Sequence, residues 1–246
     1  MKMKSRKSTA KALAEMMDAL SDAVFPEYAD QDPGLAPGRV HRALQSLSDA
    51  SVADAFVAAI PEIKRLLQTD VAAIEANDPA ASDQKEVVFC YPSIKAILYY
   101  RAAHILLGLK VPVLPRMLTE YAHSITGIDI HPGATIGEYF AIDHGTGTVI
   151  GETAIIGNHV TLYQGVTLGA KNFSYDENGR PRDIPRHPIV EDYVTVYSNA
   201  SLLGRITIGT GSIIGGNVWL THSVPPHSRI LQSHYRESFF KDGEGI

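Results

Sequence analysis

Residues 188–224 read PIVEDYVTVYSNASLLGRITIGTGSIIGGNVWLTHSV, with an aliphatic side chain at every sixth position: Val190, Val196, Leu202, Ile208, Ile214 and Leu220. Four residues after each comes a small or apolar one, namely Val194, Ala200, Ile206, Ser212, Val218 and Val224. A period of six fits neither the 3.6-residue helix nor the two-residue strand. It fits a triangular prism whose short faces each use six residues. The aliphatic points to the axis and the later residue fills a corner, which is a parallel β-helix.

The same grammar begins upstream at Asp129. Ile130, Ile136 and Ile142 are six apart, with Ala134, Phe140 and Thr146 four residues after each, and a shift of two near Thr148 resets the frame. Ile150, Ile156, Leu162 and Leu168 continue it, giving 13 hexads and so roughly four coils. Gly137, Gly151, Gly157, Gly169, Gly209 and Gly215 are expected to relax the turns. A sandwich of short strands would show turn signals at freer spacing. The hexads stop for residues 171–187, KNFSYDENGRPRDIPRH, whose charges, prolines and glycine require a loop that leaves the prism. Such a loop is either functional or a tolerated surface insertion.

Before Thr126 the chain is rich in Ala, Leu, Glu and Lys, and reads as several helices. Val40, Leu44, Leu47 and Val52 form one stripe; Ile63, Leu66, Leu67, Val71 and Ile74 form another, with a break expected at Pro61 and a stop at Asp78-Pro79. Further helices are expected from Ile94 to Leu107, where Ile97, Tyr100, Arg101 and His104 share a packed face, and from Leu114 to about Ser124. The fold class is therefore α+β. A helical domain spans 1–126, a parallel β-helix 127–230 with its loop at 171–187, and a flexible tail 231–246.

A chain of 246 residues with 45% apolar content can bury a core. Its 22 Lys and Arg against 27 Asp and Glu give a net charge of -5, so nothing draws it to nucleic acid or anionic lipid. Cys90 is the sole cysteine, which removes intrachain disulfides and cysteine-rich zinc sites. The basic start lacks an uninterrupted apolar stretch, and the segment from Ile94 to Leu109 carries Lys95, Arg101 and His104. A cytoplasmic protein without a membrane anchor is expected.

No phosphate loop, HExxH or GxSxG motif is present. Histidine and aspartate instead concentrate at Asp129-Ile130-His131-Pro132, Asp143-His144-Gly145 and Arg186-His187-Pro188. In an 18-residue coil, residues 15 apart meet near one corner, so Asp129 can support His144 as a base that activates a hydroxyl. Equally, His144 can simply occupy a turn beside Gly145. Arg186 and His187 suit an anionic group, or form a solvated pair. His131, His144, His159 and His187 raise a metal centre of the lyase kind as an alternative, although an Asp-supported lone base needs fewer assumptions and no metal.

The stretches DPAASD, YRAAHIL, GIDIHPGATIGEYFAIDHGTGTVIGETAIIGNHVTLYQGVTLGA, RHP and SVPPHS together resemble the hexapeptide-repeat acyltransferases, and among them the serine O-acetyltransferase family. The resemblance runs from about Asp78 to the end. It implies a left-handed β-helix that transfers acetyl from acetyl-CoA to the L-serine hydroxyl, the first step of cysteine biosynthesis. It also implies residue roles. His144 would be the general base, oriented by Asp129; Asp78 and Asp143 would bind the serine ammonium; Arg186 would pair with the carboxylate and His187 would add a hydrogen bond.

Coenzyme A would lie near Gly169, Ala170, Ser198 and Gly216, although TLGA and VYSNA stand here where the familiar enzymes often read TLGG and IGAGA. The family pattern further implies a trimer with sites in its clefts or a hexamer built through the helical halves. Inhibition by L-cysteine is implied too, as is capture of the C-terminal Ile246 by O-acetylserine sulfhydrylase. A hexapeptide enzyme acting on another hydroxylated acceptor is the nearest alternative, and the charges of Asp78, Asp143 and Arg186 argue against a neutral sugar.

Overall fold

The computed structural model describes residues 6–172 and 174–233. Among these, six α-helices precede fourteen short strands. The helices are α1 (Arg6–Val24), α2 (Ala36–Leu47), α3 (Ala50–Asn77), α4 (Gln84–Cys90), α5 (Pro92–Gly108) and α6 (Leu114–Thr126). Val40, Leu44 and Leu47 of α2 are buried, as are Phe56, Ile60, Ile63, Leu67, Val71 and Ile74 of α3, which is the face their spacing requires. Pro61 does not break α3 as expected from the sequence. It costs one backbone hydrogen bond, but it lies on the exposed side, while Ile60 and Ile63 hold the two halves of the helix to the core. No helix among the described residues is long and apolar enough to cross a membrane.

Gly127, left-handed at φ 71°, closes α6 and the chain enters the solenoid. The first face holds β1 (Asp129–Ile130), β4 (Val149–Ile150), β7 (Thr167–Gly169), β10 (Ser201–Leu203) and β13 (Trp219–Leu220). The second holds β2 (Thr135–Ile136), β5 (Ile155–Ile156), β8 (Ile189–Val190) and β11 (Thr207–Ile208). The third holds β3 (Ala141–Asp143), β6 (Thr161–Tyr163), β9 (Thr195–Val196), β12 (Ile213–Ile214) and β14 (Arg229–Ile230). All pairs are parallel, and the hexad aliphatics Ile130, Ile142, Ile150, Leu162, Leu168, Val196, Leu202 and Ile214 are buried along the axis.

Coil length is not constant. Asp129 pairs with Val149, so the first coil has 20 residues; Val149 pairs with Thr167, 18 on; Thr167 pairs with Ser201, 34 on, because the loop at 171–187 intervenes; and Ile213 pairs with Arg229, only 16 on. The solenoid therefore winds nearly five times, with one strand more than the 13 hexads gave. The extra strand β14 escapes the period because its coil is short.

The six glycines expected to relax turns do not have positive φ. Left-handed corner positions are instead taken by Tyr139, His144, His159, Tyr193, Asn199, Asn217 and His227, among others. Those glycines answer to crowding between coils: a Cβ on Gly157 would meet the Asp192 nitrogen at 2.9 Å, and one on Gly209 the Pro226 nitrogen at 2.3 Å.

The top coil needs a cap, because its outer carbonyls have no preceding coil. Helix α5 supplies it. The Tyr100 hydroxyl donates to the Ala134 carbonyl at 2.6 Å, the Arg101 guanidinium to Gly137 at 2.9 Å and His104 Nδ1 to Pro132 at 2.8 Å. Arg101 also grips Asp70 of α3 through two bonds of 2.7 and 2.8 Å, and Asp70 accepts the Phe140 N–H at 3.1 Å. Both side chains are buried, so one ion pair ties α3, α5 and the first coil together.

Candidate active site

The three edges of the prism carry the chemistry. The first corner joins the first and second faces, the second joins the second and third, and the third joins the third and first. At the third corner, β3 delivers Asp143, whose Cα register partner on the next coil is Tyr163. His144 follows at φ 55°, a conformation His tolerates better than branched residues. Gly145 continues the turn at φ 88°, where a Cβ would lie 2.5 Å from Ile128 Cδ1. His144 is exposed, and its Nε2 stands 3.9 Å from Asp143 Oδ1. That separation is too long for a hydrogen bond, but it lets the carboxylate stabilise an imidazolium as one forms.

The helical half adds Asp78. Asn77, the last residue of α3, donates from Nδ2 to Thr161 Oγ1 of β6 at 3.2 Å and pins the helix end to the third face. Asp78 Oδ1 accepts the Ala80 N–H at 2.8 Å, and Oδ2 accepts the Tyr91 hydroxyl. The Tyr91 bond, then the Ala80 bond, hold the carboxyl below its usual range despite some burial, and the field of His144 acts in the same direction. Asp78, Asp143 and His144 thus gather at one corner, two anions beside a base.

Among the described residues Asp129 makes no hydrogen bond to His144; its charge acts on His131. The expected pairing assumed an 18-residue coil. The first coil has 20, and the two extra residues widen the turn after His144, so Asp129 lies opposite Val149 in register.

Arg186 and His187 lie at the first corner, where the loop rejoins the prism. They are one face away from His144 within the same chain. Arg186 pairs with Glu152 at 2.5 Å. Burial pushes the Glu152 carboxyl up, but Arg186 and the neighbouring histidines overcome this and hold it low. Thr153, which the sequence reading passed over, organises the corner: its hydroxyl oxygen accepts the Arg186 and His187 N–H groups at 2.9 and 3.1 Å. His187 Nδ1 accepts the Thr153 N–H at 3.0 Å, so the ring proton resides on Nε2. The ring packs against Gly151, where a Cβ would come within 2.0 Å of His187 Cδ2.

Burial first, and then the field of Arg186, push the His187 imidazole down to about 4. It is a neutral donor near pH 7, not a cation. The unfolded chain protonates this group near the ordinary value of about 6.5, so below that pH the unfolded state binds more protons than the folded one. The stability contributed by neutral His187 is complete above about pH 6.5 and drains away as the pH falls towards 4. In thermal melts stepped from pH 7 to pH 4, the gap between wild type and His187→Asn should narrow across that window; parallel curves would count against it.

The coenzyme candidates divide in the same way. Ser198 and Gly216 sit at the third corner on successive coils below His144, with the Asn217 N–H donating to Ser198 O at 2.9 Å. Gly169 ends β7 and Ala170 follows at the first corner. The unusual VYSNA run has a local reason: Tyr197 stacks on Tyr163 with ring centroids 4.9 Å apart, extending an aromatic column beneath Asp143. The four histidines considered for a metal fall at three different corners, His131 and His187 at the first, His159 at the second and His144 at the third. No group of three or more His, Cys, Asp or Glu side chains among the described residues is placed to hold an ion. Ile246 lies outside the described residues.

A hexapeptide solenoid with a helical half, and a histidine flanked by two aspartates at one edge, is the architecture of the hexapeptide-repeat acyltransferase class. Comparison with known proteins narrows this. The chain is 55% identical over 205 residues to a plasmid-borne serine acetyltransferase of Synechococcus elongatus, covering 83% of this chain and 64% of that one, so it spans slightly less than two thirds of that relative. It is 43% identical over 167 residues to the serine acetyltransferase of Bacillus subtilis, covering 68% of this chain and 73% of the relative.

Among solved structures, serine acetyltransferase 1 of Entamoeba histolytica in complex with L-cysteine superposes with a TM-score of 0.79 at 36% identity, covering 88% of this chain and 86% of that one. The Brucella abortus serine acetyltransferase in complex with coenzyme A gives 0.68 at 27% identity, covering 90% and 79%. No family model matches the chain. The chain belongs to the serine acetyltransferase family.

Proposed function

We propose that this protein transfers the acetyl group of acetyl-CoA to the hydroxyl of L-serine, giving O-acetyl-L-serine and coenzyme A, at a site shared by two copies of the chain. The observation that carries the reading is the gathering of Asp78, Asp143 and His144 at the third corner, with Arg186 and His187 at the first. Two anions suit an ammonium, and a guanidinium with a neutral imidazole donor suits a carboxylate, which together match a zwitterionic amino acid. Within one chain the two sets sit on different edges. When the third corner of one copy meets the first corner of another, both sets face one groove, and the coenzyme residues divide in the same way. The exposed His144 would be desolvated by the same contact.

In this site His144 removes the serine hydroxyl proton as the oxygen attacks the thioester carbonyl carbon. Asp143 steadies the imidazolium, and backbone N–H groups stabilise the tetrahedral oxyanion. Collapse breaks the carbon–sulfur bond, and His144 returns the proton to the departing thiolate. No acyl-enzyme is required, and Cys90 takes no part. Asp129 supports the base if its carboxylate swings towards His144 in the assembled site. L-cysteine, which shares the ammonium and carboxylate of serine, is expected to compete for the same groups. Capture of Ile246 by O-acetylserine sulfhydrylase and a trimeric or hexameric assembly belong to the same reading.

Mixing variants tests it. His144→Ala and Arg186→Ala chains should each be nearly inactive alone. Random co-assembly restores one intact site in roughly four, because each site draws one corner from each of two copies. Recovery of about a quarter of wild-type, serine-dependent activity is expected. Mixed oligomers with no more activity than their parents would argue for a site within one chain.

A further inference from the structure

Tyr91 closes α4 and opens α5, and its backbone is fixed on both sides. Its N–H donates to the Val87 carbonyl and its carbonyl accepts the Ile94 N–H, each at 3.2 Å, while Pro92 sets the first turn of α5. Helix α4 is itself anchored, with Asp83 Oδ1 accepting the Glu86 N–H at 2.8 Å and Glu86 accepting the Ser82 N–H at 3.0 Å. From this rigid joint the phenol reaches Asp78 and gives up its hydrogen to Oδ2. The bond to Asp78 first, then burial, with Asp143 among the further causes, push the Tyr91 hydroxyl up to about 12, so it stays protonated. The oxygen that remains has only lone pairs to offer.

A primary ammonium carries three N–H donors in a tetrahedral array. Asp78 and Asp143 accept two of them, and burying the third without an acceptor would cost binding. We propose that Tyr91 is the third member of the amine site, fixing the Asp78 carboxylate and accepting the remaining N–H of the substrate ammonium. This rests on the reading that the serine amine binds between Asp78 and Asp143. It assigns the joint between α4 and α5 a role in substrate choice: the site selects primary amines, because a secondary amine leaves one of the three acceptors unmatched. The hydroxyl of Tyr163 also lies under the fields of Asp143 and Asp78.

Steady-state kinetics of wild type, Tyr91→Phe and Tyr163→Phe with L-serine, N-methyl-L-serine and acetyl-CoA test the assignment. Tyr91→Phe keeps the ring and should melt with the wild type. Its KM for L-serine should rise about tenfold, the equivalent of about 1.4 kcal/mol, with kcat and the KM for acetyl-CoA unchanged within about twofold. The wild-type penalty against N-methyl-L-serine should shrink by a similar factor. An unchanged serine KM, an equal rise for both substrates, or a penalty that shrinks in Tyr163→Phe and not in Tyr91→Phe would overturn it. Wild-type turnover of L-serine reports separately on the reaction: its absence overturns both readings, whereas normal wild-type turnover with an unchanged Tyr91→Phe ratio overturns only this one.

Discussion

Replacing His144 with asparagine should lower kcat for serine acetylation by roughly 10²- to 10⁴-fold while the melting temperature stays near that of the wild type. Asparagine is the sharper choice than alanine because residue 144 sits at φ 55°, a region that Asn enters readily and Ala does not. Alanine would mix a chemical effect with backbone strain, although the exposed side chain leaves no cavity in either case. KM for acetyl-CoA should change little, since the base acts on the hydroxyl of the other substrate. A His144→Asn protein with turnover within a few-fold of wild type would remove His144 from the mechanism and leave the paired aspartates without a base to serve.

The second large effect is on stability. Arg101→Met strips the guanidinium from a buried pair in which Asp70 is 0% exposed, and leaves the Gly137 carbonyl without that donor. Breaking a buried pair from one side costs about 3–5 kcal/mol, because the orphaned carboxylate can neither hydrate nor pair. In a chain of this length the melting temperature should drop by roughly 10 °C. The double variant Asp70→Asn with Arg101→Met should lose less than the sum of the single changes, since no uncompensated charge remains. Serine binding should weaken with stability, because Asp70 and Asp78 share α3 and its adjoining cap, and the latch sets where that helix meets the first coil. Additive losses in the double variant would show that the pair does not act as a unit.

How much of this could be read in advance varied with the range of the interaction. The prism was legible because each coil repeats one environment, so Val190 to Leu220 print the same aliphatic at the same phase. Its exceptions were not, because they lie in coil length: the first coil has 20 residues where the hexads imply 18, and the 16-residue last coil hid β14. Pro61 misled because propensity speaks for the isolated helix, whereas the buried face on either side of it decides the folded one.

The stripe of Tyr100, Arg101 and His104 was visible as a face, but not what it faced, since its partners are carbonyls more than twenty residues on. Thr153 and Tyr91 were missed for the same reason. Thr153 meets His187 after one coil plus the inserted loop, a spacing of 34, and Tyr91 meets Asp78 across a turn and α4. The division of the charged residues between two corners follows only from the order of the faces, and it is what led to the proposal of a site shared by two copies.

The most direct test is thiol release from acetyl-CoA, measured with L-serine, L-homoserine, a galactoside and no acceptor, on wild type and His144→Asn side by side. The account predicts release that depends on L-serine, is weak or absent with the other acceptors, and is lost in the variant. Release that prefers the galactoside, or serine-dependent release that survives in His144→Asn, would contradict it.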